Sequence, residues 1–316
     1  MPARLEPAEP ATRRLHLFTA FAAIYLIWGS TYLAIRFAIE TLPPLVMAGA
    51  RFTLAGAAVY AWVRLRGAPR PTRDHWMATA PIGFLLLTVG NGGLAWAEQR
   101  VPSGSAALIV AIMPLWIVLF DWLWYNGPRP TRRVLTGITL GFAGIVLLVG
   151  PEELAGAGRI DALGALVIVI GSLAWAGGSL HSRQVRLPAS PWLATAMEML
   201  AGGILLLVVA TLRGEWALVE LSEVSMRSAV SLAYLAVFGS IVAFSAYIWL
   251  LRVITPARVA THTFVNPAVA VLLGWALANE PLTPRMLAAT GIIIIGAVVV
   301  ITSRPVGASL ESGELA

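Results

Sequence analysis

Residues 103–124 have the sequence SGSAALIVAIMPLWIVLFDWLW, in which Asp121 is the only charged residue. As an α-helix, a stretch of this length crosses the hydrocarbon core of a bilayer, which is roughly 30 Å thick. Similar apolar stretches recur along the chain, which is 58% hydrophobic and only 12% charged. We therefore predict an integral membrane protein whose spans occupy almost the whole chain, with no soluble domain.

Ten transmembrane helices account for the apolar stretches, and the short polar segments between them provide the loops. The predicted fold class is thus an all-α membrane protein. The segment before the first span contains three arginines and three prolines but no apolar core, so it is not a cleavable signal peptide. The helices are expected at residues 17–38, 43–65, 76–97, 103–124, 132–150, 161–180, 190–212, 228–250, 257–278 and 285–302.

The arginines are distributed unequally between the two sides of this arrangement. Fifteen lie in the segments on the side of the N-terminus, and six lie on the other side. The positive-inside rule then places both termini in the cytoplasm and the protein in the cytoplasmic membrane. Because these loop arginines also account for the net charge of +6, the basic composition does not indicate a nucleic-acid partner.

An internal repeat divides the chain into two halves. An offset of 147 residues carries Trp28 onto Trp175, each beside small residues, and it also carries Arg51 onto Glu198. Since each half has five helices, an odd number, the second half enters the membrane from the opposite side. Such inverted repeats are typical of secondary transporters, whose substrate site lies near the membrane midplane between the repeats. The expected boundaries are 1–16 for a cytoplasmic tail, 17–150 for the first half, 161–302 for the second half and 303–316 for a second cytoplasmic tail.

Several short motifs occur in a fixed order between about residue 17 and residue 301. They are Trp28-Gly29-Ser30-Thr31-Tyr32, Pro43-Pro44, Arg51-Phe52, Gly90-Asn91-Gly92, Ala97-Glu98, Val101-Pro102-Ser103-Gly104, Phe238-Gly239-Ser240 and Val265-Asn266-Pro267. In order and spacing, this series resembles the EamA branch of the drug/metabolite transporter superfamily, and within it the YedA-type inner-membrane exporters. The resemblance implies a ten-helix transporter, built from two EamA repeats, that exports a metabolite or a drug-like compound. It does not identify the substrate.

Two charged residues are expected near the middle of the membrane, Arg51 in the second helix and Glu198 in the seventh. Each isolated charge at that depth costs roughly 2.5–3.5 kcal/mol or more, so both side chains should face the protein interior or each other. One interpretation is a permanent ion pair that locks the halves together. The alternative is that Glu198 gains and loses a proton as Arg51 approaches or leaves, and the sequence does not decide between them.

A third acidic residue, Glu98, follows Asn91 by seven residues and therefore shares its helix face near the outer end of the third helix. It is either an ordinary interfacial carboxylate, in contact with lipid headgroups or Arg100, or part of a coupling site. Asn91 lies between two glycines, so its amide can approach another helix closely or contribute hydrogen bonds to a cavity.

A substrate cavity is expected where the two halves meet, between helices 1, 3, 4, 6, 8 and 9. Prolines at positions 114 and 267 are expected to interrupt their helices and to expose carbonyl groups toward this cavity. Instead of lining the cavity, Trp28 and Trp175 could serve helix packing, and His262 could serve structural hydrogen bonding. The candidate residues are Trp28, Ser30, Thr31, Asn91, Trp175, Ser179, His262 and Asn266, with Pro114 and Pro267 as the helix breaks.

The predicted function is export of small organic molecules by alternating access, driven by the proton gradient. A passive facilitator of the same fold would have the same sequence pattern, whereas a membrane-embedded lipid enzyme would need catalytic groups that the sequence does not bring together. The chain has no cysteine and no HExxH, P-loop or GxSxG motif, so we expect no metal, cofactor or nucleotide chemistry. The expected partners are a small-molecule substrate and the lipid bilayer. Both a monomer and a dimer are compatible with the sequence.

Overall fold

The computed structural model describes residues 10–125, 127, 129–154 and 161–302. These residues form helices without any β-strand, and short loops join them. Two short 3₁₀ turns, Glu215–Leu218 and Leu221–Glu223, lie in the loop that precedes the helix beginning at Met226. The helices, numbered in chain order, are α1 (Pro10–Ala22, Ala23–Ile27 and Trp28–Ala38 in succession), α2 (Pro44–Leu65), α3 (Arg73–Ala97), α4 (Ser103–Val110 and Met113–Trp124), α5 (Arg132–Leu154), α6 (Ala162–His181), α7 (Pro191–Leu212), α8 (Met226–Val253), α9 (Pro256–Val259 and His262–Ala278) and α10 (Pro284–Thr302).

Seven helices in the described part of the chain are long and apolar enough to cross a membrane: α1, α2, α3, α4, α6, α7 and α8. The apolar parts of α9 and α10 are shorter, at His262–Ala278 and Pro284–Val300. The sequence-based prediction of an all-helical membrane protein is therefore confirmed, while the count of ten spans stays a prediction. Of the two expected tails, residues 1–9 and 303–316 lie outside the described residues. Residues 10–16 belong to α1 instead of a tail, because the helix begins at Pro10.

Helix starts follow local capping chemistry. Pro44 and Pro191 occupy the first turns of α2 and α7, where the missing N–H of proline is not needed. The side chain of Asp161 accepts a hydrogen bond from the backbone N–H of Gly164 (2.7 Å) at the start of α6. Apart from the start of α1, the predicted helix bounds agree with the structure to within a few residues, and signals of this kind mark several of the helix starts.

Glycines allow several helices to approach closely. A Cβ atom added at Gly83 of α3 would lie 2.3 Å from the carbonyl oxygen of Glu198 in α7, and one added at Gly202 would lie 2.6 Å from the carbonyl oxygen of Gly83. Gly137 of α5 and Gly296 of α10 make the same kind of reciprocal contact. Small residues at helix crossings are the usual means of packing helices in membranes.

Three helices contain π-helical segments, in which the backbone is locally wider than in an α-helix. They are Ala23–Ile27 in α1, Phe84–Gly92 in α3 and Leu235–Phe244 in α8. Such segments are rare in proteins and are found frequently at functional sites.

The two predicted helix breaks have different outcomes. In α4, the first part ends at Val110 and the second begins at Met113, so that Pro114 lies in the first turn after the interruption. In α9, however, the helix His262–Ala278 continues through Pro267, and the interruption lies before His262. The prediction for Pro267 was wrong because a proline in the second turn of a helix removes one hydrogen bond without ending the helix.

Candidate functional site

A cavity of about 70 Å³ lies within the helix bundle. Side chains from α1, α2, α3, α4, α6 and α9 form its wall, whereas α8 was expected to line it and lies behind the wall instead. The lining residues are Trp28, Thr31, Tyr32, Arg51, Gly90, Asn91, Leu94, Val110, Met113, Ile168, Gly171, Ser172, Trp175, His262 and Asn266. Six of the eight residues that the sequence suggested for a substrate cavity are therefore brought together here.

Two tryptophans, one from each half of the sequence, form an aromatic wall. The rings of Trp28 and Trp175 meet edge to face, with their centroids 5.5 Å apart. Tyr247 of α8 contacts both of them from behind, at 5.0 Å and 5.7 Å. The indole N–H of Trp28 donates to the carbonyl oxygen of Gly239 (3.1 Å), and that of Trp175 donates to the hydroxyl of Tyr247 (2.9 Å). Because both indole N–H groups are bonded to the protein, the wall presents apolar ring surface to the cavity.

The two remaining candidates, Ser30 and Ser179, do not line the cavity. The hydroxyl of Ser30 lies 2.6 Å from that of Tyr234, and the hydroxyl of Ser179 lies 2.6 Å from that of Tyr247. Ser179 also donates to the carbonyl oxygen of Trp175, four residues earlier (2.6 Å). Both serines thus hold tyrosines of α8 in place, a role that the sequence does not reveal, because the partner tyrosine is more than 60 residues away.

His262 and Asn266 occupy the α9 side of the cavity. The imidazole Nδ1 of His262 donates to the carbonyl oxygen of Val259 (2.9 Å), and its ring lies 5.2 Å from that of Trp28. The side-chain amide of Asn266 is oriented with its nitrogen toward three backbone carbonyls. This nitrogen lies 3.0–3.2 Å from the carbonyl oxygens of His262, Ile24 and Tyr25 and donates to them. Asn266 therefore links the π-helical segment of α1 to the start of α9.

Arg51 is buried at the cavity wall and is not paired with Glu198. Its Nε donates to the hydroxyl oxygen of Ser240 in α8 (2.7 Å), and its guanidinium carbon lies 4.6 Å from the ring centroid of Phe52. The ion pairs in the described residues are Arg100–Asp161 and Arg227–Glu40, both at the surface. Of the two interpretations left open by the sequence, the permanent ion pair is therefore wrong, and Ser240 supplies the hydrogen-bond acceptor for Arg51 instead.

Glu198 is fully buried in α7, and neither carboxylate oxygen has a hydrogen-bond partner among the described residues. Its backbone oxygen faces Gly83 of α3, which fixes that turn of α7 against α3. A buried carboxylate without partners is favoured in its protonated, neutral form. Glu198 does not line the central cavity.

Glu98, directly after the last residue of α3, is also fully buried and also lacks hydrogen-bond partners for its carboxylate among the described residues. Burial raises the pKa of this carboxyl well above its usual range, and the nearby negative charge of Glu280 adds to the effect. The interpretation of Glu98 as an exposed interfacial carboxylate is therefore wrong. The guanidinium of Arg36 does not contact the carboxylate and donates to the backbone carbonyl of Glu98 instead (2.8 Å).

Two glutamates that the sequence did not single out cap helices of the other half. The carboxylate of Glu280 accepts from the backbone N–H groups of Ser103 (2.8 Å) and Gly104 (3.0 Å) at the start of α4. The carboxylate of Glu215 accepts from the N–H groups of Leu45 (2.9 Å) and Val46 (3.2 Å) at the start of α2. Helix N-termini favour such negative groups, so both contacts hold the two halves together at one end of the bundle.

Comparison with known proteins identifies this architecture. The sequence profile of the EamA-like transporter family matches residues 16–150 and 162–302. The chain is 42% identical over 288 residues to the uncharacterized inner membrane transporter YedA of Escherichia coli (strain K12), covering 90% of each chain, and 26% identical over 292 residues to the uncharacterized transporter YvbV of Bacillus subtilis (strain 168), again covering 90% of each. A solved crystal structure with 22% identity shares the fold, with a TM-score of 0.63 over 92% of this chain and 97% of that chain. These matches confirm the resemblance found in the sequence, and the chain is a membrane transporter, not an enzyme, that belongs to the EamA-like transporter family.

Proposed function

We propose that the protein exports small organic molecules across the cytoplasmic membrane by alternating access of two inverted halves, with both termini in the cytoplasm. The observation that carries this proposal is the position of the cavity. It lies where Trp28 of the first half meets Trp175 of the second, and the internal offset of the sequence makes these two residues equivalent. A substrate site at the interface of inverted repeats is the arrangement expected of a secondary transporter.

The packing of the helices supports inverted halves. The largest contacts between the halves join α2 to α7 and α5 to α10, which are equivalent helices of the two repeats. The contact of α1 with α8 has a counterpart in the contact of α6 with α3. A two-fold axis in the membrane plane produces reciprocal contacts of this kind.

The two ends of the bundle differ in a way that suits alternating access. At one end, Glu280 and Glu215 cap helices of the opposite half and close the interface. Toward the other end, a groove of about 570 Å³ opens between α3, α4 and α6, lined by residues that include Leu85, Phe120 and His181. The central cavity is much smaller than the roughly 300–1,000 Å³ of an ordinary ligand pocket, so a substrate requires the halves to separate around it.

In this proposal, the proton gradient supplies the energy for uphill export. Glu98 and Glu198 are buried carboxyl groups without partners among the described residues, and such groups take up and release protons when their surroundings change. If neither group cycles, the protein is a passive facilitator. A facilitator equilibrates its substrate, whereas a coupled exporter moves it uphill as long as the pH gradient persists.

An export screen tests the proposal. Cells with and without the protein are compared for release of metabolites and of toxic analogues, and any exported compound is then measured in everted membrane vesicles before and after the pH gradient is collapsed. Trp28→Ala should abolish export, whereas Trp275→Ala should not, because Trp275 is 55% exposed on the outside of α9. Equal export by the two variants would refute the assignment of the site. Uphill transport that persists without the pH gradient would refute proton coupling.

A further inference from the structure

The charge of the central cavity is unbalanced. Among its lining residues, Arg51 carries the only permanent charge, and no aspartate or glutamate contributes to the wall. None of the ion pairs in the described residues involves Arg51. Arginine remains protonated in proteins, and a buried charge without a counterion is strongly unfavourable. No carboxylate of the described residues supplies this missing negative charge at the cavity wall.

The guanidinium group of Arg51 is hydrogen-bonded to the protein along one edge only, at Nε. Its Nε donates to the hydroxyl oxygen of Ser240, which itself donates to the carbonyl oxygen of Leu235 (3.1 Å) and therefore acts as an acceptor toward Arg51. The two Nη atoms have no hydrogen-bond acceptor among the described residues, although the guanidinium carries four N–H donors on them. A planar fork with two free nitrogen atoms matches the two oxygen atoms of a carboxylate or sulfonate.

The surrounding backbone is shaped to admit this group. A Cβ atom added at Gly239 would lie 2.7 Å from Nη2 of Arg51, so a larger residue at this position of α8 would displace the guanidinium from the place it occupies. The carbonyl oxygen of the same Gly239 accepts the indole N–H of Trp28. One turn of the π-helical segment in α8 thus positions both the cation and the aromatic wall.

We infer that Arg51 binds an anionic group of the transported molecule, and that the substrates are small organic monoanions, carboxylates or sulfonates, with an aromatic or apolar body. The inference rests on the proposed function and names the substrate class of its site. Thr31, Asn91 and Ser172 add neutral polar groups, and the wall has no second arginine and no lysine to pair with a doubly charged phosphate. The edge-to-face tryptophans offer apolar surface to a ring, and an organic cation would be repelled by Arg51.

The test uses three probes of nearly equal shape that differ in charge: benzoate, benzamide and benzylamine. Binding to the purified full-length protein in detergent is measured from the rise of the thermal unfolding midpoint with probe concentration. Since charge-assisted pairs are about twice as strong as neutral hydrogen bonds, benzoate should bind at least about tenfold more tightly than benzamide, with benzylamine weakest. Equal binding of benzoate and benzamide, or tighter binding of benzylamine, would overturn the inference without the use of any variant.

Substitutions then assign the effect to Arg51. Arg51→Met should remove the advantage of benzoate over benzamide, and Arg51→Lys, which keeps the charge but loses the fork, should retain part of it. The matched control is Arg66→Met, because Arg66 follows α2 directly and lies over the exposed ring of Trp62, away from the cavity. An advantage of benzoate that survives Arg51→Met and Arg51→Lys, or that disappears equally in Arg66→Met, would overturn the inference.

The outcomes also separate this inference from the proposed function. If the export screen finds transported compounds that are all neutral or cationic, the anion site is wrong while export stands. If benzoate binds in an Arg51-dependent manner but no compound is exported, the site stands and the proposed export is wrong.

Discussion

The crossing of α3 and α7 provides a quantitative test of the packing, through the substitution Gly83→Ala. The new methyl carbon would lie 2.3 Å from the carbonyl oxygen of Glu198 and 3.1 Å from the backbone nitrogen of Gly202. Ordinary carbon–oxygen contacts are roughly 3.3 Å, so one helix must move by about 1 Å. Both opposing atoms belong to the backbone, and no side chain can rotate away to relieve the contact.

The expected loss follows from these distances. Overpacking of a well-packed interior typically costs about 1–3 kcal/mol, and the better helix propensity of alanine returns up to about 1 kcal/mol. A 2.3 Å contact with a backbone atom places this substitution in the upper part of that range, about 2–3 kcal/mol, so Gly83→Ala should lower the free energy of unfolding by about 1–2 kcal/mol net and reduce the amount of protein in the membrane. The matched control is Gly291→Ala in α10, where an added Cβ meets no atom within 4 Å, so that only the gain in propensity remains.

The measurement is thermal unfolding of the two purified variants beside the wild-type protein. Opposite signs are expected, with Gly83→Ala less stable and Gly291→Ala equally stable or more stable. If Gly83→Ala unfolds at the wild-type temperature or above it, α3 and α7 do not approach each other as described, and the placement of Glu198 against α3 fails with it.

Three further predictions concern charge. Because burial raises the pKa of Glu98, the folded protein keeps a proton that the unfolded chain releases. The free energy of unfolding therefore falls as the pH rises above 4.5, the ordinary pKa of a glutamate. Glu98→Gln should flatten this fall in unfolding measurements, and an unchanged pH dependence would contradict the prediction. Because Arg51 and Glu198 form no ion pair, the losses from Arg51→Met and Glu198→Leu should add in the double mutant to within about 0.5 kcal/mol, and a larger coupling energy would contradict the geometry. Reporter fusions should indicate cytoplasm at every site tested, since a periplasmic signal at any of them would overturn the ten-helix topology. The fusion sites are Arg70, Arg133, Arg186 and the C-terminus.

Much of the fold can be predicted from the sequence because a single physical requirement dominates it. Each span must be about 20 apolar residues long, and its ends are marked by proline, glycine or a capping side chain. The span predicted at residues 103–124 has the same limits in the structure, Ser103–Trp124. The first helix is the exception, since its polar start at Pro10 carries no apolar signal.

The candidate site was only partly predictable. Trp28 and Trp175 could be found because the repeat places them at equivalent positions, and their mutual contact is what a two-fold arrangement produces. Tyr247 was missed, because an aromatic residue within an apolar helix has no pattern that separates it from lipid-facing neighbours. The π-helical segments were missed for a similar reason, since no residue type marks them as clearly as proline marks a helix start.

Arg51 and Glu198 show where the symmetry of the sequence stops predicting the chemistry. Equivalent positions with opposite charge suggest a pair, yet a two-fold axis places equivalent residues in equivalent surroundings and brings them together only near the axis itself. The rings of Trp28 and Trp175 meet, whereas the two charges make no contact. Arg51 instead meets Ser240 at the cavity wall, whereas Glu198 lies within packed helices away from the cavity. The two halves differ at this position, so the cavity wall has a cation without a carboxylate beside it, which is the asymmetry that an anionic substrate would use.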